Sequence, residues 1–176
     1  HYNLLSCEYF NNPIRRLNMS KILSGTAYWA SVINPNTRFD ADGVWTIDVG
    51  NLDDLNKKKA QKDGLTIKNK GDEKDDFVTI RRRVRNSKSG NLNRAPNVVD
   101  SEKRLITDTM IGNGSKVNVL YEPFEWNFGG KTGVSADLRA VQVTELVPYS
   151  TEEDDAFDVV PNGYTSDELE DIPFSA

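Results

Sequence analysis

Phe77-Val78-Thr79-Ile80-Arg81-Arg82-Arg83-Val84-Arg85 is the stretch on which the reading of the whole chain turns. Its apolar and polar residues alternate with a period of two, as they do in an extended strand whose faces meet different surroundings. Val78, Ile80 and Val84 fall on one face, toward a core; Phe77, Thr79, Arg81, Arg83 and Arg85 fall on the other. Arg82 interrupts the apolar side and is expected near a rim, where its guanidinium reaches water. Arginines and a ring about 6–7 Å apart along one face suit a phosphate backbone whose bases stack on the ring. The same pattern also describes a solvated face whose arginines pair with acids on a neighbouring strand. The flanking sequence has to choose.

Upstream, residues 25–33 read as a first strand, with Tyr28, Ala30 and Val32 on one face and Ala27, Trp29 and Ser31 on the other. Asn34-Pro35-Asn36 is a turn signal. A second strand over residues 44–49 puts Trp45, Ile47 and Val49 on its apolar side. Trp45 reads as core, whereas Trp29, among small residues, reads either as inward packing or as an exposed stacking platform. Residues 52–64 suit a short helix, with Asn51 or Asp53 as its cap, Leu52 and Leu55 packing inward and Gly64 at its end. Lys57, Lys58, Lys59 and Lys62 make the rest of its surface cationic, as a soluble face or as an extension of a phosphate-tracking groove.

Downstream, residues 86–96 form a polar, flexible loop carrying Lys88 and Arg94, and Ile111-Gly112-Asn113-Gly114-Ser115 is a turn. A strand over residues 116–121 aligns Val117, Val119 and Tyr121. Phe124, Trp126 and Phe128 follow at strand spacing, with core packing as the default explanation. Gly129-Gly130-Lys131-Thr132-Gly133 lacks the upstream glycine of a nucleotide-binding P-loop and has no helix after it. Residues 134–147 are the last long extended run, and a slip in their alternation points to a bulge. Short strands, one short helix and closely spaced turns describe a mainly β chain, a small closed barrel or sandwich.

Composition sharpens the choice between the two readings of the arginine strand. The formal charge of −5 hides a split: residues 151–176 hold nine acids and no lysine or arginine, which leaves residues 1–150 at +4. Within that body, residues 57–94 carry 13 bases and five acids. A concentrated basic region favours a polyanionic partner in spite of an acidic overall balance. One cysteine, Cys7, and one histidine, His1, leave neither a zinc cluster nor a disulfide framework. No metal, cofactor or catalytic constellation is called for, and no apolar run approaches the roughly 18 residues of a membrane span. Residues 1–18 precede Met19-Ser20-Lys21, which looks like a translation start, and read as vector-derived or upstream sequence without a signal-peptide layout.

From Tyr149 onward the apolar residues lose any usable period, so disorder is expected. The chain finishes on Asp167-Glu168-Leu169-Glu170-Asp171-Ile172-Pro173-Phe174-Ser175-Ala176. Acids leading to an apolar tip describe a linear docking peptide, with Phe174 filling a partner's pocket. The organisation is thus a leader (1–18), a barrel (19–149) and an acidic partner-binding tail (150–176).

These features together resemble bacteriophage replication single-stranded DNA-binding proteins. The resemblance is carried by residues 25–37, by Ile111-Gly112-Asn113-Gly114-Ser115, by residues 133–143 and by the tail near Asp171-Ile172-Pro173-Phe174. It implies an oligonucleotide/oligosaccharide-binding (OB) barrel that coats exposed single strands during replication, recombination and repair in the cytoplasm of an infected bacterial host. It also implies that Asp167, Glu168, Glu170, Asp171, Ile172, Pro173 and Phe174 contact the phage DNA polymerase and helicase–primase. Ser175-Ala176 depart from the pattern, because bacterial relatives end on the aromatic itself.

The interface expected on this reading needs no bond chemistry. Arg81, Arg83 and Arg85, with Lys57, Lys58, Lys59 and Lys116, and Lys68 and Lys70 in support, neutralise phosphates and release counterions. Trp29 and Phe77, with Tyr121 or Trp126, offer faces to bases. Rival readings are a nuclease built on Asp40, Asp42 and Asp48, a protein-interaction module with an acidic tail, and an RNA-binding barrel. A monomer and a homodimer are both compatible with the sequence.

Overall fold

The computed structural model describes residues 21–149 and 156–165. Its elements are β1 (Lys21–Asn36), β2 (Val44–Gly50), α1 (Asp54–Lys62), β3 (Val78–Arg83), β4 (Asn97–Val99), β5 (Lys116–Phe128) and β6 (Lys131–Glu145). β1 lies between β2 and β5, β2 pairs with β3, and β5 pairs with β6, all antiparallel. A parallel bridge from Arg81 to Asp137 joins β3 to β6 and closes the ring. Closure pairs β3 with β6 and so covers edges that a strand-rich chain otherwise exposes, and the result is a mainly β barrel of the OB type. The leader 1–18 and the docking residues 167–174 lie outside the described residues.

Alternation builds the inside of this ring. Trp45, Ile47 and Val49 of β2 meet Val78 and Ile80 of β3, while Val119 and Leu138 fill the opposite wall. β1 is far longer than the nine residues its alternation predicts, because it borders β2 with one half and β5 with the other. A register shift between Tyr28 and Ser31 marks a bulge, where Trp29 has φ 51. β5 and β6 also slip in register between Leu120 and Tyr121, in keeping with the predicted irregularity. Beyond Tyr121, β5 has only β6 beside it among the described residues, so Pro123 sits on an edge where a missing N–H costs no ladder bond.

The β5–β6 connection is two residues long. Gly129 and Gly130 have φ of 57 and 79, the pair of positive values that a tight hairpin turn requires. The glycine-rich stretch is therefore a hairpin tip. The expected flexible loop of residues 86–96 is likewise tied down in its first half: Arg85 bridges Leu92, and the Asn86 N–H donates to the Asn91 carbonyl at 2.8 Å.

α1 covers one end of the barrel through Asn56 and Ala60, with Leu52 buried just before it. Leu55 points out to solvent, contrary to expectation, because the inward positions fall to Asn56, whose side chain accepts from the Ser24 N–H at 3.0 Å. Asp53 is the cap: its carboxylate accepts from the Asn56 N–H at 2.8 Å. Asp76 holds α1 to the entrance of β3, accepting from Asn69 and from Lys57, both at 3.1 Å. These bonds keep both carboxyls below their ordinary range, Asp53 chiefly through the Asn56 N–H and Asp76 chiefly through the Asn69 amide. A carboxyl whose pKa falls on folding stabilises the native state above its ordinary value, about 3.9, and loses that contribution as pH drops through the lowered value. Thermal unfolding is accordingly expected to show Tm falling below about pH 4, with the fall reduced in an Asp53→Asn/Asp76→Asn variant.

Candidate nucleic-acid interface

The outward residues of β1, β2 and β3 form three cross-strand rows. Tyr28, Asp48 and Thr79 make the first, Ser31, Thr46 and Arg81 the second, and Asn36, Val44 and Arg83 the third. The rows differ in what covers them.

The first row is closed. Residues 69–76 fold back over it, and the Tyr28 hydroxyl donates to Asn51 at 2.6 Å while Asn51 donates to the Glu73 carbonyl at 3.0 Å. Lys74 reaches Asp48 at 3.2 Å and Asp72 at 3.8 Å, and the Thr79 hydroxyl donates to the other Asp48 oxygen at 2.7 Å. The same ammonium sits 4.1 Å from the centre of the Phe77 ring. Phe77 is 2% exposed, so the expected stacking platform does not exist there. The reason is local: Phe77 lies just before β3, bridged to Lys68, and residues 69–76 turn Lys74 onto its free face.

The second and third rows are open. Arg81 and Arg83 are exposed and have no ion-pair partner among the described residues. Arg85 continues their line but is committed to the Gly90 carbonyl at 2.7 Å and to Asp42 at 3.5 Å. Arg82 points to the other side, where it donates to Asp137 at 2.7 Å and to the Arg94 carbonyl at 2.9 Å. It is largely buried there, not at a wet rim. Burial pushes the Asp137 carboxyl above its ordinary value in spite of the Arg82 and Arg139 guanidiniums.

Two exposed rings lie close to these rows along the chain. Trp29 lies exposed (62%) on the β1 bulge, its backbone N–H donating to the Asn113 side-chain oxygen at 2.8 Å. Phe39, in the β1–β2 loop, is 89% exposed, with the Arg38 guanidinium 5.3 Å from its centre. This pairing was missed from the sequence, although a ring isolated in the polar run of residues 34–43 has no periodic partner and so no place in a core.

A fold like this closed ring is found in solved structures. It is similar to gp2.5, a single-stranded DNA binding protein encoded by bacteriophage T7, at 22% identity and a TM-score of 0.57, covering 84% of this chain and 99% of that one. It is similar also to the single-stranded DNA-binding protein of bacteriophage Enc34 in complex with ssDNA, at 14% identity and a TM-score of 0.56, covering 73% of this chain and 88% of that one. The chain has the fold of these phage single-stranded DNA-binding proteins. No family profile and no curated protein matches the sequence.

Against that fold, the remaining expected contacts are dispersed. Tyr121 is fully buried, its hydroxyl donating to Asp63 at 2.6 Å, and burial beside that carboxylate raises its pKa well above normal. It offers no face to a base. Lys57 is drawn to Asp76 and Asp54, while Lys58 and Lys59 stay exposed on α1 at the opposite end from Arg83. Lys116 lies on the β1–β5 seam, donating to Thr26 at 2.9 Å, five residues along β1 from the row of Arg81. Of the acids of the nuclease alternative, Asp48 is engaged with Lys74 and Asp42 with Arg85, while the Asp40 carboxylate accepts from the Asp42 N–H at 3.0 Å.

Trp126 belongs to a second aromatic surface. With Phe124 and Phe128 it lines one face of the projecting β5–β6 arm, and all three are exposed where core packing was the default. Its indole lies over Gly133, the residue opposite, where a Cβ would come within 2.4 Å of the ring.

Proposed function

We propose that this chain binds single-stranded DNA without regard to sequence, in phage DNA replication, recombination and repair. One observation carries the reading: Arg81 and Arg83 stand exposed on a closed barrel without an ion-pair partner among the described residues, and the exposed Trp29 lies two residues before Ser31, which shares the row of Arg81. Free guanidiniums about 6–7 Å apart along one strand neutralise successive phosphates, and a flat ring beside them stacks any base. Phe39 adds a second ring at the Arg83 end, while Lys58, Lys59 and Lys116 contribute a positive field at a distance. A duplex keeps its base faces stacked away from such rings, hence the preference for single strands. The binding needs no cofactor and breaks no bond. The acidic tail recruits replication partners, the phage DNA polymerase and helicase–primase, in the cytoplasm of the infected host; the order of charge and apolar residues from Asp167 to Phe174 supports this role.

Tryptophan fluorescence tests the reading. Adding oligo-dT is expected to quench the emission, because base stacking quenches indole. Trp29→Ala removes most of that quench and costs about 1–3 kcal/mol of affinity, the worth of one stacked base. Trp45, buried in the core, supplies an unchanged background. A wild-type protein that neither quenches nor binds oligo-dT overturns the proposal.

A further inference from the structure

The β5–β6 arm ends in a knob, and the other end of the barrel carries a hole. Phe128, 85% exposed, stands at the tip of the arm beside the Gly129-Gly130 turn. An apolar groove of about 260 Å³ is formed by Val32 and Ile33 of β1, Pro96 and Val98 at β4, and Leu105 and Ile106 beyond it. A cavity of roughly 150 Å³ already accommodates benzene, so a phenyl ring fits. The two features cannot meet within one copy. The arm leaves the barrel at Lys21, eleven residues before Val32 on β1, and its tip at Lys131 is nine residues before Ala140, where β4 joins β6. Charge matches as well: Lys131 faces Phe128 across the hairpin, and Asp108 follows Thr107 on the groove wall, neither with an ion-pair partner among the described residues.

We propose that Phe128 of one copy seats in this groove of the next, so that copies stand head to tail along a shared strand. A contact between unlike patches on opposite ends does not close on itself and repeats as a row. One ring in one groove falls far short of the roughly 800 Å² per partner that a stable complex buries. Free copies therefore stay apart, and the contact forms only where a bound strand holds neighbours at high effective concentration. Cooperative coating is the consequence. The readout rests on the single-strand reading.

The test compares an oligo-dT long enough for one copy with a long oligo-dT, using the full chain. Wild type is expected to bind the long strand more tightly per site, on the order of 10–100-fold. Phe128→Asp and Leu105→Asp both alter exposed side chains. Each is expected to abolish that gain and leave one-site affinity unchanged. An equimolar mixture of the two variants regains part of the gain on a two-site strand, because one retains the groove and the other the tip. A wild type without the gain, a variant that keeps it, or a Phe128→Asp protein with weakened one-site binding overturns the proposal. The last outcome assigns the tip to nucleic acid. Failure of wild type to bind the one-site strand overturns the single-strand reading, and this inference with it.

Discussion

Replacing Arg81 and Arg83 together by glutamate is expected to weaken binding to oligo-dT by roughly 100-fold or more near 0.1 M salt. The size follows from losing two charge-assisted phosphate contacts and putting two negative charges on the open rows. The slope of log K against log salt should shrink by about 1.4, since each neutralised phosphate on a single strand contributes about 0.7. Stability should hardly move, because neither guanidinium has an ion-pair partner among the described residues. Arg85→Glu is a graded control: its guanidinium already serves Gly90 and Asp42, so its loss costs less affinity. Isothermal titration at three salt concentrations, with a thermal melt of each variant, separates these effects.

Phe77→Ala should do the reverse. Removing a buried ring from a packed site costs about 3–5 kcal/mol, and the contact with the Lys74 ammonium goes with it. Urea unfolding is expected to shift by that amount, while the folded variant keeps its affinity for oligo-dT in the fluorescence titration. A ring that stacked on bases would give the opposite pair of results, an unchanged midpoint and weaker binding. Lys74 couples the two halves of this site, since it both covers Phe77 and neutralises Asp48 on the sheet face.

Much of the fold was legible because alternation is a local signal. Val78 and Ile80 point inward and Arg81 and Arg83 outward, as the period of two requires. Trp45 is core, Asp53 caps α1, and the final long strand forms with a slip in register. Phe77 fails for a reason the period cannot contain: its outward face is taken by Lys74, carried there by a loop that also packs on Tyr28. Tyr121 fails because α1 brings Asp63 to its hydroxyl, a contact across 58 residues. Trp29 turned on a bulge, where alternation stops assigning faces. The basic region read as one block, but barrel closure spreads it: α1 takes its lysines to one end and β3 its arginines toward the other. Phe124, Trp126 and Phe128 had the spacing of a core strand, and only the length of the hairpin beyond the ring leaves them in solvent.

The central claim is an open cationic face that takes an unpaired strand. It is tested most directly by titrating one DNA sequence, single-stranded and as its duplex, across a range of salt. The expected result is tighter binding to the single strand at every salt concentration, with an affinity that falls steeply as salt rises and a slope that Arg81→Glu/Arg83→Glu flattens. Equal affinity for the duplex, or a slope untouched by the arginine substitutions, contradicts it.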